Sequence, residues 1–357
     1  MLKYIVKRLV YGLSVLWGVV TIIFFLFNLL PGDPARLMLG NRPTPEAIEA
    51  INRDLGRDKP LSTQYLMYIN DLSPISYHQK KDKNKAFFLD EEKYEGYSAF
   101  LENDNRAWVF KAPYLRRSYK SRRKVWDVIA KALPNTSVLA MLSMGFALFF
   151  GVVIGTVAAV NKGTKWDAYM LVVAVLGMAL PSFFSGKIIQ VLFTDVWFQE
   201  WPSTGSLIQY DYLTGEDMYK WAVVVLPAFT LGIRPLAIIM QLTRNALLDV
   251  LNKDFIRTAK AKGLSYYKLL FKHALRNALN PVITAVSGWF AALLAGAIFV
   301  EKIFNYKGLG LALFEAVTGN DLPIAMGIVL FMAVAFVIVN ILVDIIYVIL
   351  DPRIRLK

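Results

Sequence analysis

The chain has 357 residues, of which 56% are hydrophobic, and a mean hydropathy of +0.44. It carries 40 Lys and Arg against 27 Asp and Glu, a net charge of +13, with no cysteine and two histidines, His78 and His273. This composition excludes disulfides and thiolate metal sites, argues against a His-rich metal centre or a histidine triad, and fits basic loops facing anionic lipid better than nucleic acid.

A bilayer core about 30 Å thick asks for about 20 apolar residues per helix, and the sequence offers six such stretches. The first covers residues 9–30 and follows Lys3, Lys7 and Arg8. Its apolar run is longer than that of a signal peptide, and Pro31-Gly32-Asp33-Pro34 after it is no small-x-small cleavage site. A retained helix with a cytoplasmic N-terminus is expected. Residues 31–133 hold no spanning run. Within them Thr44-Pro45 reads as a helix start and Gly56 as a stop. The tract of residues 75–124 mixes charges with Tyr77, Phe87, Phe88, Tyr94, Tyr97, Phe100, Trp108, Phe110 and Tyr114. That aromatic content predicts a small folded insertion.

The second span covers residues 137–160, with Gly151 and Gly155 spaced for close helix approach. The third starts near Trp166 and passes Pro181. Residues 187–201 read as interfacial, with Trp197, Phe198 and Trp201 at headgroup level. The fourth, fifth and sixth spans cover residues 221–242, 281–300 and 323–350. The expected fold is therefore an all-α polytopic membrane protein with six transmembrane helices. Residues 1–30 form the N-terminal segment and first helix. Residues 31–133 form an extracytoplasmic loop with an inserted subdomain at about 75–124. Residues 134–357 form a five-helix core with a cytoplasmic loop at about 245–280.

Six spans place Arg244, Lys253, Arg257, Lys260, Lys262, Lys268, Lys272 and Arg276 on one side with both termini, where Arg353, Arg355 and Lys357 also fall. The positive-inside rule makes that side the cytoplasm. The basic run Arg116, Arg117, Lys120, Arg122, Arg123 and Lys124 falls outside, which the rule tolerates in a loop beyond about 60 residues.

No phosphate-binding Gly-x-x-x-x-Gly-Lys-Ser/Thr loop occurs, nor His-Glu-x-x-His, nor Gly-x-Ser-x-Gly, and an enzyme is not expected. Arg234 lies about 13 residues into the fourth span, about 20 Å deep. A charge there faces a cavity or a partner: either a pathway residue meeting an anionic solute group, or half of an internal ion pair beside Pro235. Asp344 is expected to cap or pair locally, and Lys187 to snorkel to the outer interface.

The run Asp254, Phe255, Ile256, Arg257, Thr258, Ala259, Lys260, Ala261, Lys262, Gly263, Leu264, Ser265 reads as a helix and a glycine break. A second helix follows from about Tyr266 to Ala278, with Ser265 at its cap position. The apolar side of this pair comprises Phe255, Ala259, Leu264, Leu269 and Leu270. Physics alone leaves two readings level: a protrusion that fits a partner's groove, or an amphipathic pair resting on the membrane surface.

DFIRTAKAKGLS followed by KHALRNALNPV resembles the EAA loop of binding-protein-dependent ABC transporter permeases, most nearly the dipeptide/oligopeptide/nickel branch. LKYIVKRLV…LLPGDPA, KPLSTQY, LPNTSVLA, GLGLALFEAV after VEKIF, and VDIIYVILDPRIR resemble the same branch, in order, over nearly the whole chain outside 75–124. Three features depart from the pattern. Arg257 stands where the general motif has Glu, Lys307 stands where Pro commonly precedes Gly308-Leu309-Gly310, and residues 75–124 are extra.

The resemblance implies a permease subunit of an ATP-driven importer for peptides or similar small solutes, in a bacterial inner membrane. Asp254, Phe255, Arg257, Thr258, Ala259, Ala261, Lys262, Gly263 and Leu264 would dock on an ATPase; the resemblance assigns Arg234 no role, and its pathway and ion-pair readings both stay open. Implied partners are a second homologous permease, two ATP-binding subunits, an extracytoplasmic solute-binding protein and the bilayer, with no nucleic acid. ATP and Mg would reside on the partner subunits, with no cofactor or metal in this chain. Nickel or another non-peptide solute is the alternative cargo. A stand-alone secondary transporter is the competing class; it calls for inverted repeats or polar broken helices, which the sequence does not display.

Overall fold

A computed structural model describes residues 2–29, 44–54, 56–81, 86–91, 93–94, 96–210 and 217–350. Pro31-Gly32-Asp33-Pro34, Arg353, Arg355, Lys357 and the Asp344 side chain lie outside the described residues. The elements, in chain order, are α1 (Leu2–Leu29), α2 (Pro45–Asp54), α3 (Leu61–Leu72), β1 (Ile75–Gln79), β2 (Ser98–Asn103), β3 (Arg106–Phe110), α4 (Val125–Val160), α5 (Lys165–Ala179) and α6 (Ser182–Val191, continued by π-helical turns over Leu192–Trp197). There follow β4 (Ile208–Tyr210), β5 (Asp217–Tyr219), α7 (Ala222–Leu251), α8 (Asp254–Ala261) and α9 (π-helical over Lys268–Leu275, then Arg276–Ala278). The last four are α10 (Asn280–Gly296), α11 (Ile298–Ile303), α12 (Leu309–Thr318) and α13 (Leu322–Leu350).

Among the described residues, four stretches are long and apolar enough to cross a membrane: Val6–Leu26, Val125–Val160, Ala222–Leu251 and Leu322–Val343. The expected third span is broken. α5 ends at Leu180, Pro181 starts α6, and the two halves are bent by 107°, so they make a fifth crossing only if taken together. Proline forces the break because it supplies no N–H to the preceding turn. The span expected to pass Pro181 is bent sharply there, so the chain does contain a broken helix, which the sequence did not display. The expected fifth span is α10, whose 17 residues reach only about 25 Å; Ala297 then separates it from α11.

The chain divides into two compact units, residues 132–314 with those from 335, and residues 2–131 with 315–334. In the first, α7 is the central helix. Gly155 lets α4 approach so closely that a Cβ there would stand 2.5 Å from the Met240 carbonyl oxygen. The spacing of Gly151 and Gly155 thus serves packing within the chain. Leu139, Ala140, Val224, Ile239, Phe304 and Tyr306 form the core beside it.

Glu301, fully buried, ties the start of α12 in place. Its carboxylate accepts from Thr136 Oγ1 at 2.8 Å and from the Leu311 N–H at 2.9 Å, and Thr136 Oγ1 accepts from the Leu309 N–H at 2.7 Å. A carboxylate at a helix N-terminus satisfies donors that have no partner inside the helix. A Cβ at Gly308 would strike that carboxylate, which accounts for glycine in the Gly-Leu-Gly motif. The departure at Lys307 has a use as well: its N–H donates to the Gly205 carbonyl at 3.3 Å, a bond proline cannot make.

In the second unit α1 meets α3 through Thr21 Oγ1 and Tyr65 OH, 2.6 Å apart. Gly56 follows α2 with φ +71°, as its reading as a stop requires. Strands then appear where an all-α chain was expected. β3 is the centre of an antiparallel sheet in the order β1-β3-β2, with Tyr77 opposite Trp108 and Leu101 opposite Trp108 on the other side. Leu89, Tyr94, Ala107 and Val109 form its small core. The tract is therefore folded, as its aromatic content predicts.

Its charges are inside. Asp71, 4% exposed, accepts from Lys93 Nζ at 3.0 Å and from Tyr94 OH at 2.5 Å, while Lys111 Nζ donates to the Asp71 carbonyl at 2.6 Å. His78 is fully buried, shares a 2.8 Å hydrogen bond with Ser76 Oγ, and packs its ring 4.7 Å from that of Tyr94. Burial first, then the Lys111 ammonium, pushes the imidazole down to about 4, because both disfavour a second positive charge. Farther on, Ser118 Oγ and the Tyr119 N–H both bond the Asp321 carboxylate just ahead of α13.

Candidate functional site

α7 runs 30 residues and delivers its last turn to a compact pair of helices outside the apolar stretch. α8 ends on a tight reversal. The Gly263 N–H donates to the Lys260 carbonyl at 3.0 Å, and the Leu264 N–H reaches back to the Ala259 carbonyl at 3.4 Å. These are the two bonds of a Schellman ending, which needs a left-handed residue. Gly263 supplies it with φ +78°, and open space lies where its Cβ would be. A side chain at this position meets backbone strain, not a clash. Ser265 takes its expected place ahead of α9, and its carbonyl accepts from the Leu269 N–H at 3.0 Å.

The pair has two faces. Ile256, Leu269, Leu270, Ala274 and Ala278 are buried against Ala159 of α4 and Leu247 and Val250 of α7. This corrects the expected apolar side, since Leu269 and Leu270 point into the chain's own core. Ala259 is half-buried against the same cluster, so only Ala261 of the two small alanines is fully on the outside. Ile256 is the anchor the sequence reading passed over; the adjacent apolar pair Phe255-Ile256 at the start of a short basic helix was the available signal.

The outer face carries Asp254, Phe255, Arg257, Thr258, Ala261, Lys262 and Gly263, all exposed, with Leu264 at the edge. Thr258 Oγ1 donates to its own helix at the Asp254 carbonyl, 3.0 Å away. Arg257 and Asp254 stand 3.7 Å apart and are largely solvated, so their attraction contributes little. Three aromatics outside the expected set are also open: Tyr266 at 54%, Tyr267 at 74% and Phe271 at 56% exposure. With Phe255, they give the protrusion large aromatic side chains of the kind enriched in protein interfaces. Lys260, Lys262, Lys268 and Lys272, all exposed, make the same helix pair positively charged.

Arg234 sits on α7 between two buried prolines of that helix, Pro227 and Pro235, and is itself exposed. Among the described residues it forms no hydrogen bond or ion pair, so the internal pair is not found there. A charge about 18 Å into an apolar helix cannot rest against lipid tails cheaply; it needs water or another chain. Of the other intramembrane charges, Lys187 is exposed and donates to Gln190 Oε1 at 3.1 Å. Trp197 and Phe198 are exposed at 60% and 52%, whereas Trp201 packs against the core. Among the described residues no cluster of His, Asp or Glu is arranged to hold a metal.

The family model of the binding-protein-dependent transport system inner membrane component matches residues 151–356, and that of the N-terminal membrane component matches residues 1–140. The chain is 34% identical to the di/tripeptide transport system permease protein DppB of Pseudomonas aeruginosa over 372 residues, covering 99% of both. It is 33% identical to the dipeptide permease DppB of Escherichia coli K12 over 379 residues, and 33% identical to the glutathione permease GsiC of Pectobacterium atrosepticum over 357, with complete coverage of each. The structure shows a multi-span helical chain, and the sequence matches end to end. The chain belongs to the family of binding-protein-dependent transport system inner membrane components.

Proposed function

We propose that this chain is one permease subunit of an ATP-driven importer of short peptides. The observation that carries this reading is end-to-end likeness at about a third identity to permeases named for dipeptides, tripeptides and glutathione. Peptide cargo is thereby favoured over nickel. The cytoplasmic pair α8–α9 docks on a separate ATP-binding subunit through Asp254, Phe255, Arg257, Thr258, Ala261, Lys262 and Leu264. Ala259 supports that face from below, and Gly263 sets its turn. ATP and Mg stay on that subunit. A second permease and an external solute-binding protein complete the system. The finer topology belongs to the same proposal: six crossings, with α5–α6 as one broken span and α10–α11 as another, both termini in the cytoplasm, and residues 31–133 outside. Arg234, exposed and without a partner among the described residues, faces the pathway and meets the peptide carboxylate.

The test is uptake by cells lacking this chain, offered labelled dipeptide, glutathione and nickel in turn. Loss of dipeptide or glutathione uptake, restored by the intact gene, is expected. Normal peptide uptake with lost nickel uptake overturns the cargo. Because the chain has no cysteine, Arg122→Cys and Lys260→Cys test orientation: an impermeant thiol reagent should label the first and spare the second in intact cells.

A further inference from the structure

Asp167 opens α5 and is 4% exposed. Its carboxylate accepts from Arg244 Nε at 2.6 Å and from Arg244 Nη2 at 2.7 Å, a two-pronged contact with α7, and from the Gly163 N–H at 3.1 Å. Thr164 caps the same turn of α5. The Arg244 side chain is also mostly covered, 15% exposed. Two parallel charge-assisted bonds fix distance and orientation together, unlike a single contact between flexible chains. A pair this well covered contributes little net stability over an apolar substitute, yet losing one member leaves a stranded charge.

Its position gives it a use. Arg244 stands three and six residues ahead of Leu247 and Val250, the α7 side chains on which Ile256 of α8 rests. At the far end of α5, Gly177 brings it close to α7: a Cβ there would be 3.2 Å from Ile233. α5 is therefore held to α7 at both ends, by ions at one and by close packing at the other, and beyond it lies the 107° break into α6.

We propose that Asp167 and Arg244 are positioning residues that make α5 follow α7, so that a displacement of the α8–α9 pair is carried to the break at Pro181. The inference rests on the reading of that pair as the ATPase-docking element. Without the fork, α7 moves with the loop while α5 lags, and ATP is hydrolysed without opening the broken span.

The experiment uses the complete transporter purified through a tag on this chain and reconstituted with its ATPase and binding protein, with a radiolabelled dipeptide as probe. Arg244→Lys keeps the charge and loses the fork; Asp167→Asn keeps the shape and loses the charge. Arg244→Lys should retain ATPase subunits and thermal midpoint, and Asp167→Asn, which strands the Arg244 charge, should retain ATPase subunits with a lowered midpoint; in both, dipeptide transported per ATP hydrolysed falls about tenfold, within the usual range of coupling free energies. An unchanged ratio in both variants overturns the proposal. So does failure of even Arg244→Lys to reach the membrane, which would make the pair a folding staple, and so does loss of the ATPase, which would make it part of the docking face. Ala261→Trp separates the two readings: if that variant keeps its ATPase subunits, the docking assignment fails irrespective of the clamp.

Discussion

Ile256, Leu269 and Leu270 bury their side chains on Ala159, Leu247 and Val250, so the helix pair at residues 254–278 has a core in common with α4 and α7. The sheet at residues 75–110 is organised differently: Leu89, Tyr94, Ala107 and Val109 close on one another, and its charges are gathered inside around Asp71. An element that shares its core with long helices cannot shift without moving them, because packed interiors transmit strain. An element closed on its own core can be altered without that consequence. The first plan suits coupling and the second suits a module. The sheet's outer residues Leu101, Trp108 and Phe110, 63%, 44% and 60% exposed, leave that module an apolar outer face.

The largest expected effect lies in the module. Asp71→Asn strands the Lys93 ammonium and should destabilise the sheet by about 4 kcal/mol. Amide exchange in residues 75–110 should accelerate while ATPase subunit recovery holds; a parallel loss of recovery would erase the distinction drawn above. Next comes Ile256→Ala, which empties the shared core at a cost of about 3 kcal/mol and should lower ATPase recovery and transport together. Normal values of both would separate the helix pair from coupling.

A third difference is in pH. Folded His78 takes up a proton only near pH 4, whereas the unfolded chain does so near its ordinary value of 6.5. Below about 6.5 the unfolded form binds more protons, so the sheet loses stability as pH falls towards 4, by up to about 3 kcal/mol, and is flat in this respect above 6.5. Trp108 fluorescence against pH should show this loss, and His78→Gln should remove it; an identical profile in the variant would mean another group titrates. Gly263→Val is smaller, about 2 kcal/mol of backbone strain. It should leave membrane insertion intact and reduce ATPase retention. The smallest effect is expected from a Gly/Ser linker in place of residues 75–110, whose ends Ile75 and Phe110 are already paired. It spares the Ser118–Asp321 contact and should leave ATPase recovery unchanged. Reduced stimulation by the binding protein alone would make the module a docking cap.

The comparison also marks where reading the sequence succeeded. Gly263, between a short basic helix and a second apolar run, was legible as a turn because few residues besides glycine accept positive φ. Aromatic density gave away that residues 75–110 are folded, but their strands went unrecognised: β2 is exposed throughout and β3 is Arg-Ala-Trp-Val-Phe, whose outward-facing residues are mainly aromatic. Leu269 and Leu270 were legible as part of the apolar side of the helix pair. What they face was not, since periodicity gives a direction around one helix and no partner for it. Glu301 and the Asp167–Arg244 fork were missed because their partners lie 165 and 77 residues away.

The sequence by itself determined that the chain lives in a membrane, where its long helices run, and where the turn at Gly263 falls, because these depend on local hydropathy, proline and glycine. Only the tertiary structure decided that α7 would be the central helix, that the span at Pro181 would fold back through 107°, and that two of the five expected apolar docking residues would turn inward. The bend is set by α6 seating Gly186 against Thr230 and Ile303, where a Cβ would come within 3.2 and 3.4 Å. Such outcomes are fixed by which surfaces meet across long stretches of chain, and close packing between distant residues leaves no periodic trace in the order of the amino acids.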